Sequence, residues 1–346
     1  MKLLYSAETP RASINYDDMT NDRAIGVAFI GAGIVAEMHG RALAATSGAR
    51  LIGVFDPAAS QAKKIAKKFG GRVYKNLDEL LQDPDVGAAH VLTPTRQHVP
   101  ISLQILQAGK HALVEKPVAM TVAEIRQLQA AAKKHGRVCM PAHNYIYVPS
   151  LQRARRLISE KKLGRIAALW ILYNIYHSDK IAAQCGSGVL RAICIHHAYS
   201  LLYLLGRPTR VSATVSNAAH RNLKFEDQAS ITCEFAEGVI AHLWCSFAVD
   251  DPTNDPWTVI YKVLGDRGGL TYSWNEAQFD DQGGPAWGLP CYEDGFRGEI
   301  DHFINHVIHK NEEPLSTLDD AADALQIIEA AEHSAASGKR QRVEYD

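Results

Sequence analysis

Val27-Ala28-Phe29-Ile30-Gly31-Ala32-Gly33-Ile34-Val35-Ala36 reads as a short apolar strand, a glycine turn and the first residues of a helix. The spacing of the turn is G-x-G-x-x-A, and its place between a strand and a helix gives so short a pattern its meaning. Gly31 permits the tight turn, Gly33 lets the backbone approach a pyrophosphate, and Ala36 lets the helix pack close to the strand. The helix amino-terminus, at Ile34 and Val35, presents N–H donors and a partial positive charge to phosphates. These four positions, Gly31, Gly33, Ile34 and Val35, are therefore read as contacts of a dinucleotide.

Outward from this turn, short apolar strands alternate with amphipathic helices, the pattern of a doubly wound parallel sheet. Leu51-Ile52-Gly53-Val54-Phe55 is the second strand, followed by a helix from about Ser60 to Phe69. A short helix at 77–81 precedes a strand at 88–92, a helix from Val99 to Ala108 precedes the strand His111-Ala112-Leu113-Val114, and a helix from Val122 to Lys134 precedes Val138-Cys139-Met140. A Rossmann domain is thus expected over residues 24–149. After a helix at 149–160 the pattern changes to long strands at 166–176, 210–215, 229–235, 239–247 and 258–264. These imply a second α/β domain over 150–346 with a large, mostly antiparallel open sheet, closed by helices near 296–309 and 319–336. Residues 1–23 lack periodicity and read as an arm. Met19 also reads as a start, which would leave residues 1–18 as an arm on a neighbouring subunit or as no natural part of the chain.

Asp56 ends the second strand 23 residues after Gly33, where a carboxylate can accept both hydroxyls of the adenosine ribose. Pro57-Ala58-Ala59-Ser60 supplies no cation for a 2′-phosphate, so NAD is expected rather than NADP. Thr93 and Pro94 follow the next strand at the same edge and would shape the wall beside the nicotinamide ribose. His98 is read either as a further contact or as a helix-start residue. Lys116, in Glu115-Lys116-Pro117, ends the strand after that, and a lysine there points into the crevice where open α/β sheets bind ligands.

The 346 residues exceed one ordinary core, and 47% apolar content suffices for two. With 37 basic and 38 acidic side chains, no global field favours nucleic acid or an anionic membrane, and a small-molecule ligand is expected instead. The six cysteines show no paired spacing, so neither a disulfide framework nor a metal site is expected. No apolar run is long enough for a membrane span and no signal segment is evident, so a cytoplasmic location is expected.

The glycine turn, Thr93-Pro94 with His98, and Glu115-Lys116-Pro117 together resemble the amino-terminal half of the Gfo/Idh/MocA oxidoreductase family. The resemblance continues through Gly188-Val189-Leu190 to Ile195-His196 and Leu204-Leu205-Gly206, through Gly265-Asp266-Arg267-Gly268-Gly269-Leu270, and into the last helix. It implies dimers or tetramers assembled through the open sheet, and hydride exchange between a nicotinamide and a sugar, polyol or sugar derivative. It carries Lys116 over as the active-site lysine, Glu115 and Pro117 as shapers of its turn, often with a cis Lys-Pro bond, with Glu115 and Lys116 also expected to contact the cofactor, and His196 as the histidine that exchanges the substrate hydroxyl proton. That pairing is chemically coherent, because removing hydride from a carbinol carbon requires a base for its O–H.

The chain departs from the family at Ala192, where an acid four positions before the histidine is usual, and at Tyr199, where many members carry a second acid. Loss of the first should lower the histidine pKa. Asn144, Tyr147, Arg191 and His197 are further candidate substrate contacts, with His143 either a contact or a junction residue. Of Tyr173, Asn174, Tyr176 and His177, only 173 and 177 or only 174 and 176 can face the pocket. Three activities compete: an NAD-dependent sugar or polyol dehydrogenase, a redox-assisted glycoside hydrolase or lyase, and a non-catalytic NAD-binding regulator.

Overall fold

The computed structural model describes residues 24–251, 257–274 and 290–345, so the expected amino-terminal arm lies outside the described residues. The first sheet is built from β1 (Ile25–Ile30), β2 (Ala49–Phe55), β3 (Arg72–Val73), β4 (Ala88–Val91), β5 (His111–Glu115) and β6 (Cys139–Ala142), in the order β3-β2-β1-β4-β5-β6. Every pairing in it is parallel. Helices α1 (Ile34–Ala44), α2 (Ala59–Phe69), α3 (Leu77–Gln82), α4 (His98–Gln107) and α5 (Val122–His135) make the crossovers. All residues of β1, β4 and β5 are buried. Strands covered on both faces need continuous apolar runs, which is why these segments do not alternate. In α2, by contrast, Ala62, Ile65 and Ala66 face inward while Lys63, Lys64, Lys67 and Lys68 are exposed.

The order of strands reverses between β1 and β4, and ligands bind such sheets at the carboxyl ends beside that switch. Three loops meet there: the glycine turn after β1, Thr93-Pro94 after β4, and Lys116-Pro117 after β5.

After α6 (Pro149–Ser159) comes a second sheet, in the order β12-β11-β7-β10-β9-β8-β13. Its strands are β7 (Ile166–Ile175), β8 (Arg210–Ser216), β9 (Gln228–Glu234), β10 (Ile240–Ser246), β11 (Trp257–Gly265), β12 (Gly268–Ser273) and β13 (Gln341–Arg342). The central pair, β7 with β10, is parallel, because α7 (Asp179–Cys185), α8 (Ile195–Leu205), β8 and β9 all intervene between the two; the other pairings are antiparallel. Period-2 alternation is plain: Leu169, Ile171, Tyr173, Leu243 and Tyr261 are buried, while Trp170 and Leu172 on the other face are 41% and 38% exposed. Helix α10 (Leu318–Ser337) packs on α8 and β8 and also reaches α5 and β6, while α9 (Pro290–Asp301) lies on α1. The last two helices therefore bridge the sheets.

Sequence periodicity did not reveal α7 or the two-residue strands β3 and β13, which are too short to carry a period. Among the described residues no helix is long and apolar enough to cross a membrane.

Candidate active site

A groove of about 990 Å³ runs along the switch point, lined by the glycine turn, Asp56, Thr93, Pro94, Pro117 and Met120. Gly31 has φ of +100°, and a Cβ there would lie 2.5 Å from the carbonyl oxygen of Leu92. Gly33 is a different case, since a Cβ built on it meets nothing within 4 Å. The turn is thus closed behind and open in front, as backbone approach by a pyrophosphate requires. Gly33 also caps α1 without any side-chain hydrogen bond, and while the Ala36 N–H turns back to the Gly33 carbonyl, no side chain among the described residues covers the N–H groups of Ile34 and Val35. Ile34 is 59% exposed and Val35 partly buried at this helix start.

Asp56 is fixed by two backbone donors: Ala32 N–H to Oδ2 and Ala58 N–H to Oδ1, both 2.8 Å. Each carboxylate oxygen keeps a further lone pair for a ribose hydroxyl. The hydroxyl of Thr93 is buried with no hydrogen-bond partner, and Thr93 lines the groove. An open turn, an uncapped helix and an unsatisfied hydroxyl fit a dinucleotide.

His98 departs from expectation. Its ring is 1% exposed and lies between the carbonyl oxygens of Thr93, 2.7 Å from Nε2, and Pro117, 2.8 Å from Nδ1. It braces the two loops from behind and does not line the groove. Glu115 is likewise beneath the site and not in it, since one oxygen faces His39 Nε2 at 3.1 Å and the other accepts the Lys116 N–H at 3.0 Å.

Lys116 enters the site through a cis peptide bond to Pro117, and its ammonium donates to the carbonyl oxygen of Ala192 at 3.1 Å. That carbonyl belongs to a π-helical stretch, Leu190–Cys194, directly ahead of α8. Wide turns of this kind recur at functional sites. Where the family resemblance implied a carboxylate, this chain therefore offers the lysine a backbone oxygen. His196 follows at the start of α8, 8% exposed, its ring stacked on Tyr145 with centroids 4.3 Å apart. Burial holds its pKa well below the usual histidine value, and the positive charge of Lys116 lowers it further. The imidazole is neutral at neutral pH and able to accept a proton.

His143 and His177 join these two. Burial first, then the Lys116 charge, lowers His143 to about 3 and His177 to about 4. His143 stacks on Tyr199 at 3.6 Å and faces the Ser316 hydroxyl at 3.2 Å, while Tyr199 donates to Asp320 at 3.3 Å. Of the two pairs on β7 and its continuation, the inward one is Tyr173 with His177, for Tyr176 is 48% exposed. His177 rests on Phe247, and its carbonyl oxygen lies 2.7 Å from Nε2 of His220, whose other nitrogen faces the buried Asp227. Asn144 is buried at the junction with its amide nitrogen unpartnered.

Three expected substrate contacts lie elsewhere. His197 is fully buried, with Nδ1 2.9 Å from the Tyr261 hydroxyl, because one helical step turns it into the core behind His196. Arg191 is clamped in two bonds to Glu332, at 2.6 and 2.7 Å, and borders the nucleotide groove. Tyr147 packs on His302 and lines a separate hollow of about 570 Å³ on the far side of the junction. His39 and His90, both fully buried behind the site, stand at positions where the sequence holds no local signal that would single them out.

The fold and these loops define a dinucleotide-binding protein. Residues 25–143 match the profile of the oxidoreductase family with an NAD-binding Rossmann fold, and residues 151–271 match the GFO/IDH/MocA carboxyl-terminal domain. The chain belongs to the GFO/IDH/MocA family. It is 27% identical over 226 residues to the 1,5-anhydro-D-fructose reductase of Ensifer adhaerens, a match covering 63% of this chain and 68% of the reductase. A trans-1,2-dihydrobenzene-1,2-diol dehydrogenase of Mus musculus is 28% identical over 200 residues, 56% of this chain and 59% of that enzyme. Among solved structures, GenD2 from gentamicin A biosynthesis in complex with NAD superposes with a TM-score of 0.83 at 26% identity, covering 98% and 100% of the two chains. A levoglucosan dehydrogenase with NADH and levoglucosan shares the fold, with a TM-score of 0.80 at 21% identity over 93% and 100%.

The buried histidines make acid stability a test of this site. Burial holds His143 and His197 at about 3 and His177 at about 4, below the ordinary value of 6.5. The unfolded chain therefore binds more protons between those values, and stability is lost as pH falls through that window, by about 1.4 kcal/mol per unit for each group. Urea midpoints should decline steeply from about pH 6.5 to 4, and a His143→Gln, His197→Gln double variant should show a shallower decline. Equal slopes would contradict the assignment.

Proposed function

We propose that this chain is an NAD-dependent dehydrogenase acting on a carbinol of a sugar, polyol or sugar derivative. The observation that carries the reading is the Lys116 ammonium held on the Ala192 carbonyl, one helical turn before the buried, neutral His196, next to Pro117 in the wall of a groove suited to a dinucleotide. Bound NAD supplies the hydride acceptor. The work of the chain is on the hydroxyl: the Lys116 N–H groups donate to the carbinol oxygen and polarise it, and His196, neutral because it is buried, takes the hydroxyl proton. In the reverse direction the same ammonium polarises a carbonyl. Asn144, with its free amide N–H, is placed to orient a further hydroxyl.

Asp56 with Pro57-Ala58-Ala59-Ser60 after it favours NAD over NADP, since a 2′-phosphate would meet a carboxylate and no cation in that segment. The reductase, the diol dehydrogenase and the NAD-bound GenD2 support the class of reaction. A second reading, transient oxidation followed by elimination at a glycosidic bond, draws on the altered surroundings of His196 and on a 26% identical 2,7-anhydro-N-acetylneuraminate hydratase of Mediterraneibacter gnavus. Sugar release without net NADH would favour that second reading.

The exposed Trp170 and Leu172, with Ile240 and Leu264 on the same open face, support a homodimer or homotetramer assembled through the second sheet. Trp170→Glu should lower the oligomeric state in sedimentation, and an unchanged distribution would contradict this. Lys116→Ala should reduce turnover at least about a hundredfold while leaving the affinity for NAD within a few-fold, and an active variant, or equal wild-type rates with NADP, would oppose the corresponding assignment. Ala192→Asp should restore a carboxylate beside the imidazole, raise the His196 pKa and move the acid limb of kcat/KM upward by about one pH unit. An unmoved limb would remove His196 from the proton step.

A further inference from the structure

Behind Lys116 lies a buried chain of polar groups that hydride transfer does not itself require. His39 on α1 is fully buried, and its Nε2 is 3.1 Å from Glu115 Oε1. Its Nδ1 is 3.1 Å from Nδ1 of His90 on β4, also fully buried and stacked on Phe29. Glu115 closes the chain by accepting the Lys116 backbone N–H through its second oxygen.

The proton positions follow from the partners. A carboxylate only accepts, so His39 Nε2 carries hydrogen. A single proton can lie between the two Nδ1 atoms, and His90 supplies it most simply, leaving its Nε2 bare. That atom is indeed buried with no hydrogen-bond partner, and burial keeps the His90 pKa well below the ordinary value. The Glu115 carboxylate is taken out of water, which works against its ionisation. The hydrogen bond and electrostatic attraction from His39, the charge of Lys116 and the Lys116 N–H together outweigh that cost, and its pKa is lowered. Glu299 on α9, buried completely and with neither oxygen hydrogen-bonded, shows the alternative, because burial raises its pKa well above the ordinary carboxylate range.

We propose that His39 is a positioning residue that keeps Glu115 ionised beneath Lys116, so that the charge steadying the lysine ammonium comes from behind the site and is set by the helix that follows the dinucleotide turn. His39 acts through Glu115 and touches neither substrate nor cofactor. Its effect bears on Ala192, because position 192 adds no carboxylate to the one behind the lysine.

The test reads Lys116 directly and needs no substrate, so its outcome is independent of the proposed reaction. Acetic anhydride labelling of Lys116, followed by peptide mass spectrometry from about pH 7 to 11, gives the midpoint at which the free amine appears. Other groups facing the pair are His98 from α4, His143 after β6, His177 after β7, His196 and His197 from α8, and Tyr292 and Glu299 from α9. All of them stay unchanged in the variants. His39→Leu removes the donor, so Glu115 should take up a proton and the Lys116 midpoint should fall by about one unit or more. His39→Gln retains an N–H donor and should restore the wild-type midpoint. Should His39→Leu fail to fold, Glu115→Gln removes the charge at constant size and should give the same fall. A midpoint unchanged in His39→Leu or in Glu115→Gln, or lowered equally in His39→Gln and His39→Leu, would overturn the proposal, because a merely structural role would alter thermal stability without moving this titration.

Discussion

The site depends on the burial of β1, β4 and β5 on both faces. Because these strands are parallel and fully covered, their carboxyl ends finish at one level, and the three loops leaving them have nowhere to go but the same crevice. The glycine turn, Thr93-Pro94 and Lys116-Pro117 are separated by more than twenty residues each along the chain and share one groove. His98 fastens two of those loops to each other, and His39 fastens the helix after the first to the strand before the third. The chemistry in front is only as well placed as this scaffold behind.

The second sheet contributes from the opposite side. Its central strand β7 delivers His177, and the π-helical stretch ahead of α8 delivers both the Ala192 carbonyl and His196. A neutral oxygen in place of a carboxylate changes the balance of charge. The ammonium keeps an acceptor, but Ala192 gives the imidazole no carboxylate to stabilise its protonated form, so it remains a weak base in a buried pocket whose other histidines are also held neutral.

Much of this was legible in the sequence, for identifiable reasons. The glycine turn, Asp56, Lys116 and the strand pattern are local: each rests on backbone conformation or on a period of two or 3.6 residues, and the fold class followed from them. The side-chain directions in the irregular segments were not legible, because partners far along the chain decide them. Arg191 is claimed by Glu332 and His98 by two carbonyl oxygens, while Tyr147 turns toward His302. His197 could be weighed against His196 only by helical phase, and the core took it. His39 and His90 carried no signal at all, since their meaning arises from a contact with Glu115 at a separation of 76 residues in the case of His39.

Direct hydride transfer within this crevice can be followed by isotope. The enzyme would be incubated with NAD and a panel of cyclic polyols and sugar derivatives carrying deuterium on the carbinol carbons, and the NADH formed would be weighed by mass spectrometry. One deuterium should be retained in the nicotinamide of that NADH, in ordinary water. Reduced nicotinamide without deuterium, or product formed with no label ever passing to the nicotinamide, would contradict it.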